Sequence, residues 1–395
     1  MRIALICPYH LARPGGVLDH VKELHAELSK RGHYVRIITP LPRDYDGPIP
    51  DEFITLGMSR NTTVFAGTAW QWSYSVDKDA VDEVFEREKF DVLHFHEPWI
   101  PVWSRQLLSR AKVATVGTMH GRFYDTTTAK TVTPFVNTYI RPIIKYIEVF
   151  TAVSTASVAG SISNGYFKGK ITIIPNGIDV DKFRPKPGVV KTKDKGLKTV
   201  LYVGRLEDRK GVKYLIRAYA KLAEKRNDIQ LIIAGAGGDE RKLKQMVRDE
   251  SVPRVKFDSR YISEEEKINY MQQADVFCSA SPYGEAFGIV LLEAMAAGTP
   301  IVAGDNAGYT STMVDTGALS LVNPKDTVDF ARRLEIFLFD NSVRTLWKKW
   351  AKSYINNFTF PRIADQYEEV YKKAIENHAK RSKIKNRLSI RRYFR

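Results

Sequence analysis

Short β-forming runs alternate with stretches of helical length along the whole chain, and this alternation restricts the fold more than any other feature. "RIALIC", "YVRIIT", "DVLHFH", "KVATVGT" and "ITIIP" punctuate the first half. "LKTVLYVG", "IQLIIAG", "RVKF", "ADVFCSA", "TPIVA" and "ALSLV" repeat the arrangement in the second. Strands separated by helices of about 10 to 15 residues predict βαβ units and parallel sheets. Residues 181–196, "DKFRPKPGVVKTKDKG", carry no such pattern and read as a hinge. At 395 residues the chain exceeds the usual size of one core. The expected fold is α/β, with two doubly wound, Rossmann-like parallel-sheet domains facing one another across a cleft. Ligands should bind at the carboxyl ends of the strands.

The stretch "GEAFGIVLLEAMAAGTP" (284–300) places Glu285 and Glu293 around an almost wholly apolar run. Gly284, Gly298 and Pro300 punctuate a helix, and apolar residues on every side predict that it is buried. At about 1.5 Å per residue, eight positions separate the carboxylates by roughly 12 Å if the helix reaches that far back. An acid/base pair working on one glycosidic bond sits roughly 5 to 9.5 Å apart. The pair reads better as two grips on one long ligand, with the free N–H groups of a helix start between them suited to phosphate. A nucleotide sugar has that layout. The bland alternative is a solvated loop charge and a hydrogen-bonded core residue.

Other loops that follow strands carry matching chemistry. Gly15 and Gly16 precede a helical pattern and permit close approach of phosphate. Arg205 and Lys210 follow "LYVG", where two cations can offset a diphosphate. His120 ends "KVATVGTMH" and should face the same cleft. His94 and His96 alternate within one strand, but no Cys or Asp cluster accompanies them and no metal site is expected. Cys7 and Cys278, the only cysteines, support no disulfide framework.

These stretches together resemble the retaining family 4 glycosyltransferases, which have the GT-B fold. The resemblance rests on "PGGV" (14–17), "PNGID" (175–179), "VGRLEDRKG" (203–211), "GEAFGIVLLEAMAAGTPIVA" (284–303) and a terminal "FTFPRIADQYEEVYKKA" (358–374). Within the family, the start of the chain is most similar to bacterial phosphatidylinositol mannosyltransferases. The resemblance implies that Arg205 and Lys210 hold the donor diphosphate, with Gly16 near the phosphates. It implies that Glu285 bonds the transferred sugar, Glu293 the ribose, and His120 the sugar near its primary hydroxyl. The backbone of Phe287, Gly288, Ile289 and Val290 should cap the phosphates, with Tyr261 and Ile262 beside the base. Tyr9 and Arg122 are the acceptor-side candidates. Ala66 and Gly67 stand where these relatives carry an arginine for the acceptor phosphate, so the donor half is the better matched.

The implied organisation is an acceptor-side domain, 1–182, joined by a returning helix, 358–378. A donor-binding domain, 183–357, and a basic tail, 379–395, complete it. The implied activity is a metal-independent hexosyl transfer from GDP-mannose or a UDP-hexose to a lipid-linked or other polar acceptor, with no cofactor. The rivals are a GT-B epimerase or hydrolase of the same donors, and a non-catalytic binding module. After Glu376 the chain carries eight Lys or Arg and no acid, half of its net charge of +16. Such a run is a solvated end, an anchor to anionic lipid or a polyanion contact. No nucleic-acid motif accompanies it, and no nucleic-acid partner is expected. The start has too short an apolar run for a signal peptide, so the expected location is cytoplasmic, peripheral at the inner membrane face.

Overall fold

The computed structural model describes residues 1–11, 15–43, 45–65, 68–74, 77–100, 102–121, 142–161, 171–185 and 196–393. Arg122, Ala66 and Gly67 lie outside the described residues. The chain divides into two compact units, Met1–Gly177 with Phe360–Arg395, and Ile178–Thr359.

In the first unit, β1 (Arg2–Ile6), β2 (Tyr34–Pro42), β3 (Phe53–Phe65), β4 (Thr68–Tyr74), β5 (Val92–His96), β6 (Ala114–Met119), β7 (Val149–Ala152) and β8 (Thr172–Ile173) form one sheet. Its order is β4-β3-β2-β1-β5-β6-β7-β8. Every neighbouring pair is parallel except β3 and β4, an antiparallel pair at one edge. A parallel sheet covered on both faces selects continuous apolar strands, and β1 is buried from Ile3 to Ile6. One face packs helix Gly16–Lys30 through Leu18, Val21, Leu24 and Leu28. The terminal helix Phe360–Tyr393 adds Ile363, Tyr367, Val370, Tyr371 and Ala374 to the same core, a spacing of three and four that makes one helical stripe. The opposite face packs helices Lys78–Glu88 and Trp103–Arg110 through Val81, Val84, Trp103 and Leu107.

In the second unit, β9 (Lys198–Val203), β10 (Ile229–Ala234), β11 (Val255–Asp258), β12 (Val276–Ser279), β13 (Ile301–Gly304) and β14 (Leu321–Val322) are parallel throughout, in the order β11-β10-β9-β12-β13-β14. In each unit the chain first adds strands on one side of its opening strand and then crosses to the other. The reversals lie between β1 and β5 and between β9 and β12. Such switch points open a crevice at the carboxyl ends of the strands. Arg205 and Lys210 follow β9 and Glu285 follows β12; Tyr9 and Gly15 follow β1. Arg205, Lys210 and Glu285 thus flank one switch point, while Tyr261 and Ile262 follow β11 and Gly15 and Gly16 belong to the other unit.

Three strands lie outside the runs expected from the sequence. In β3 polar residues such as Ser59, Asn61, Thr62 and Thr63 dilute the apolar signal, and β4, "TAWQWSY", is a short edge strand that alternates aromatic with polar or small residues. β7 has only four residues. The basic end also differs from expectation, since it continues the terminal helix to Tyr393. Residues 379–393 contain no Gly or Pro, and their Lys and Arg favour helix, so nothing stops the helix at 378. His378 Nδ1 lies 3.0 Å from Glu148 Oε1, and Arg381 donates to Lys145 O at 3.0 Å, holding the first turns of the basic stretch on the first unit.

Candidate functional site

In the second unit, β9 runs into a loop whose backbone at Arg205 is held by a hydrogen bond from Tyr202 Oη to Arg205 O at 2.7 Å. The loop closes in a single 3-10 turn, Asp208–Lys210, ended by Gly211 at φ +68°. A Cβ at Gly211 would stand 2.1 Å from Ala280 O, so only glycine lets this turn press against the end of β12. That approach brings Lys210 to the Ser281–Glu285 loop.

Glu285 Oε1 accepts from Lys210 Nζ at 2.8 Å, Arg209 Nη1 at 2.8 Å and Ser281 Oγ at 3.1 Å. Arg209 Nη1 also donates to Gly284 O at 3.3 Å, and Nη2 lies 3.8 Å from Glu207 Oε2. Glu207 Oε1 pairs with Arg205 Nη1 at 2.8 Å. The result is a line of alternating charge, Arg205–Glu207–Arg209–Glu285–Lys210, with one positive charge in excess. Burial alone would raise the Glu285 carboxyl, but Lys210 and Arg209 outweigh it and hold it below its usual range. Burial draws the Lys210 ammonium down, and Glu285 offsets part of that shift.

Glu285 lies in the loop, and the helix begins only at Ile289, so the helix start does stand between the two glutamates. Gly288 is its N-cap at φ +95°, where a Cβ would meet the Tyr309 ring at 2.6 Å. No side chain caps this helix. Its first-turn N–H groups and macrodipole therefore suit an anion. Ile289 and Val290 are half-buried, and Phe287 is buried with its carbonyl accepting from Thr312 Oγ1 at 2.7 Å. Glu293, one turn into the helix, accepts from Lys267 Nζ at 2.6 Å. Lys267 sits on helix Glu264–Gln273, whose N-cap Ser263 follows Tyr261 and Ile262. Tyr261 is 70% exposed, which leaves its ring open to a stacking partner.

In the first unit, helix Gly16–Lys30 likewise starts at Gly15 without a side-chain cap. His20, on its second turn, places its ring 5.3 Å from the His120 ring. His120 is buried and both ring nitrogens are occupied. Its Nδ1 lies 3.2 Å from Asn176 Oδ1, which leaves Nε2 to accept from His96 Nδ1 at 2.8 Å. A sugar hydroxyl reaches this ring only by displacing one of those partners. Burial lowers His120 to about 4 and holds His20, His94 and His96 well below the usual imidazole range, so all four stay neutral near pH 7. Beside them, Glu97 adopts φ +53° and accepts from His120 N at 2.6 Å, from Gly121 N and from Trp99 Nε1. Burial raises this carboxyl despite its donors. Tyr9 is half-buried against the core, and its carbonyl accepts from Thr39 Oγ1 at 2.6 Å. Among the described residues no group of three or more His, Cys, Asp or Glu could hold a metal ion.

Sequence reasoning passed over Glu207, Arg209, Lys267, Glu97 and Asn176. The first two stand inside the "RLEDRK" motif, where the alternation of sign was the available signal. Asn176 stands inside "PNGID", while Lys267 and Glu97 are brought in by tertiary structure alone.

Residues 14–182 match the family described as Glycosyltransferase Family 4, and residues 185–354 match Glycosyl transferases group 1. A phosphatidyl-myo-inositol mannosyltransferase from Mycobacterium leprae is 31% identical over 374 residues, covering 94% of this chain and 96% of that protein. One from Propionibacterium freudenreichii is 27% identical over 399 residues, covering 98% and 99%. Among solved structures, a sucrose-phosphate synthase from Thermosynechococcus elongatus superposes with a TM-score of 0.73 at 21% identity, over 94% of this chain and 99% of that one. HepE from Anabaena in complex with UDP-glucose gives 0.71 at 18% identity, over 94% and 99%. The fold is that of the GT-B enzymes, and the chain belongs to the family 4 glycosyltransferases.

Proposed function

We propose that the protein is a retaining, metal-independent hexosyltransferase. It moves mannose from a nucleoside-diphosphate sugar to a phosphatidylinositol-type headgroup, working at the inner face of a membrane. The observation that carries the donor half is the charge line ending at Lys210 and Glu285, in the same unit as an uncapped helix start. Arg205, 48% exposed at its side chain, and Lys210 supply fixed positive charge to the leaving diphosphate, which makes a divalent cation unnecessary for that task. Glu285 faces the transferred sugar and Glu293 the ribose. Mannose and the inositol lipid are favoured by the activity named for the mycobacterial and propionibacterial relatives.

Retention follows a front-face course. The bond from the anomeric carbon to the diphosphate oxygen breaks while the acceptor oxygen bonds the same face, and the leaving phosphate oxygen takes the acceptor's proton. No side chain acts as nucleophile. No helix among the described residues is long and apolar enough to cross a membrane. Attachment is assigned to the basic end of the terminal helix.

Thermal-shift titration with GDP-mannose, UDP-glucose and UDP-N-acetylglucosamine, each with excess chelator, tests the donor, since a ligand of the folded state raises its melting temperature. Stabilisation by GDP-mannose and transfer to phosphatidylinositol in chelator are expected. Sugar release or rearrangement without acceptor points instead to a hydrolase or epimerase. Binding without turnover on any acceptor points to a non-catalytic module.

A further inference from the structure

We infer that Arg209 is a positioning residue, which keeps the Glu285 carboxylate fixed and charged when Lys210 turns to the donor diphosphate. The inference rests on the reading of this site as the donor site. In the structure one oxygen, Glu285 Oε1, is shared by Lys210, Arg209 and Ser281. A diphosphate competes with Glu285 for Lys210, because a charge-assisted contact to phosphate is at least as strong as one to carboxylate. Without Arg209, the departure of Lys210 would leave Glu285 with a serine hydroxyl alone. A carboxylate that is 12% exposed, as this one is, then takes up a proton rather than remain charged without a cation.

Arg209 suits the task because it cannot leave. Its side chain is 9% exposed, and the planar fork spans Gly284 O, Glu285 and Glu207. A guanidinium also stays protonated at any pH where the enzyme works. The other groups electrostatically coupled to Glu285 cannot replace it. The Tyr202 and Tyr309 phenols are buried and kept neutral, and Arg205 pairs with Glu207 rather than Glu285 and is assigned to the diphosphate. The fork also ties Glu207, and through it Arg205, to the same centre, so one side chain registers both cations of the donor site.

The test compares Arg209→Gln and Arg209→Lys with the parent enzyme across pH, measuring kcat and KM for GDP-mannose. For Arg209→Gln the acid limb of kcat, which reports the donor complex, should move up by about one pH unit, equivalent to a tenfold change in the ionised fraction. The limb of kcat/KM, where Lys210 still holds Glu285, should move less. Arg209→Lys keeps a cation and should restore part of the shift; it also serves if the Gln variant does not fold. An unmoved acid limb in both variants overturns the inference, as does a fall in kcat that is the same at every pH, because either result would mark a merely structural role. Binding of GDP and of UDP to the parent, followed by the same thermal shift, is measured alongside. Absence of a shift with GDP and with UDP alike removes the donor-site reading itself, and this inference with it.

Discussion

Lys210 Nζ and Glu285 Oε1 lie 2.8 Å apart, so the cation assigned to the diphosphate is held by the carboxylate assigned to the sugar. The pairing fixes both side chains before the donor arrives and makes each report on the other. It also means that binding must exchange one ion pair for another, so affinity reflects a difference between two contacts.

Lys210→Ala should therefore do more than remove one contact. Nucleoside diphosphate binding should weaken, and turnover should fall about a hundredfold to a thousandfold, the usual cost of losing one transition-state electrostatic contact. Steady-state rates and GDP titration on the folded variant check this. Near-parental turnover would remove Lys210 from the mechanism.

The two glutamates should separate kinetically. Glu293, on the helix and held by Lys267, is assigned to a ribose that changes little during reaction, so Glu293→Gln should chiefly raise KM. Glu285 is assigned to the sugar that gains positive charge, so Glu285→Gln should chiefly lower kcat. Matching effects of both substitutions on KM alone would leave the site without its catalytic half.

Two glycines offer opposite outcomes for the same substitution. Gly211→Ala puts a Cβ 2.1 Å from Ala280 O at φ +68°, costing at least about 1–2 kcal/mol from the left-handed backbone alone. It should also weaken nucleotide binding, because Lys210 is its neighbour. Gly15 has φ 177° and open space around a Cβ, so Gly15→Ala should leave the melting temperature unchanged. Any loss of donor affinity in that variant would report close approach of a ligand. Equal melting temperatures for the two variants would contradict the account of the Gly211 turn.

The parallel sheets were legible because buried strands are predominantly apolar, as Ile3–Ile6 of β1, Val200–Val203 of β9 and Leu231–Ala234 of β10 are. The outer pair β3 and β4 was not, since polar residues interrupt β3 and the short edge strand β4 alternates aromatic with polar or small residues. The candidate donor site was half legible. Arg205, Lys210 and Glu285 stand in loops after strands, where chemistry is expected. The roles of Arg209 and Lys267 depend on which carboxylate the fold brings within 3 Å, and spacing along the chain does not encode that. His120 was placed at the right strand end. Its engagement by His96 and Asn176 needs β5, β6 and the stretch after β8 to meet.

The histidine cluster makes stability depend on pH. His20, His94, His96 and His120 are neutral when folded and titrate near 6.5 when unfolded, so the unfolded state binds more protons as pH falls. Their contribution is present above about pH 6.5 and is lost on going down towards the folded value, about 4 for His120. Each group costs about 1.4 kcal/mol per pH unit in that window. Glu97, raised by burial, opposes them above about pH 4.5, but as one group against four. Denaturation midpoints should fall steeply from pH 7 to pH 5. A flat profile would mean that the rings are solvated or charged in the fold.

Arg381 and His378 dock on Lys145 and Glu148, so the first turns of the basic stretch belong to the first unit, while Ile384 is 59% exposed. Residues 384–395 carry Lys385, Arg387, Arg391, Arg392 and Arg395 and no acid. At about 1 kcal/mol per basic residue near an anionic surface, five such charges suffice to hold the enzyme there, though not to insert it. Deleting 384–395 should leave the docked turns, the fold and transfer to a soluble acceptor intact. Co-sedimentation with anionic vesicles should fall, matching the loss produced in the full chain by high salt, which screens charges beyond about a Debye length. Neutral vesicles should bind neither form. Equal binding of both forms to anionic vesicles would move the anchor elsewhere on the protein and detach the helix end from the acceptor's location.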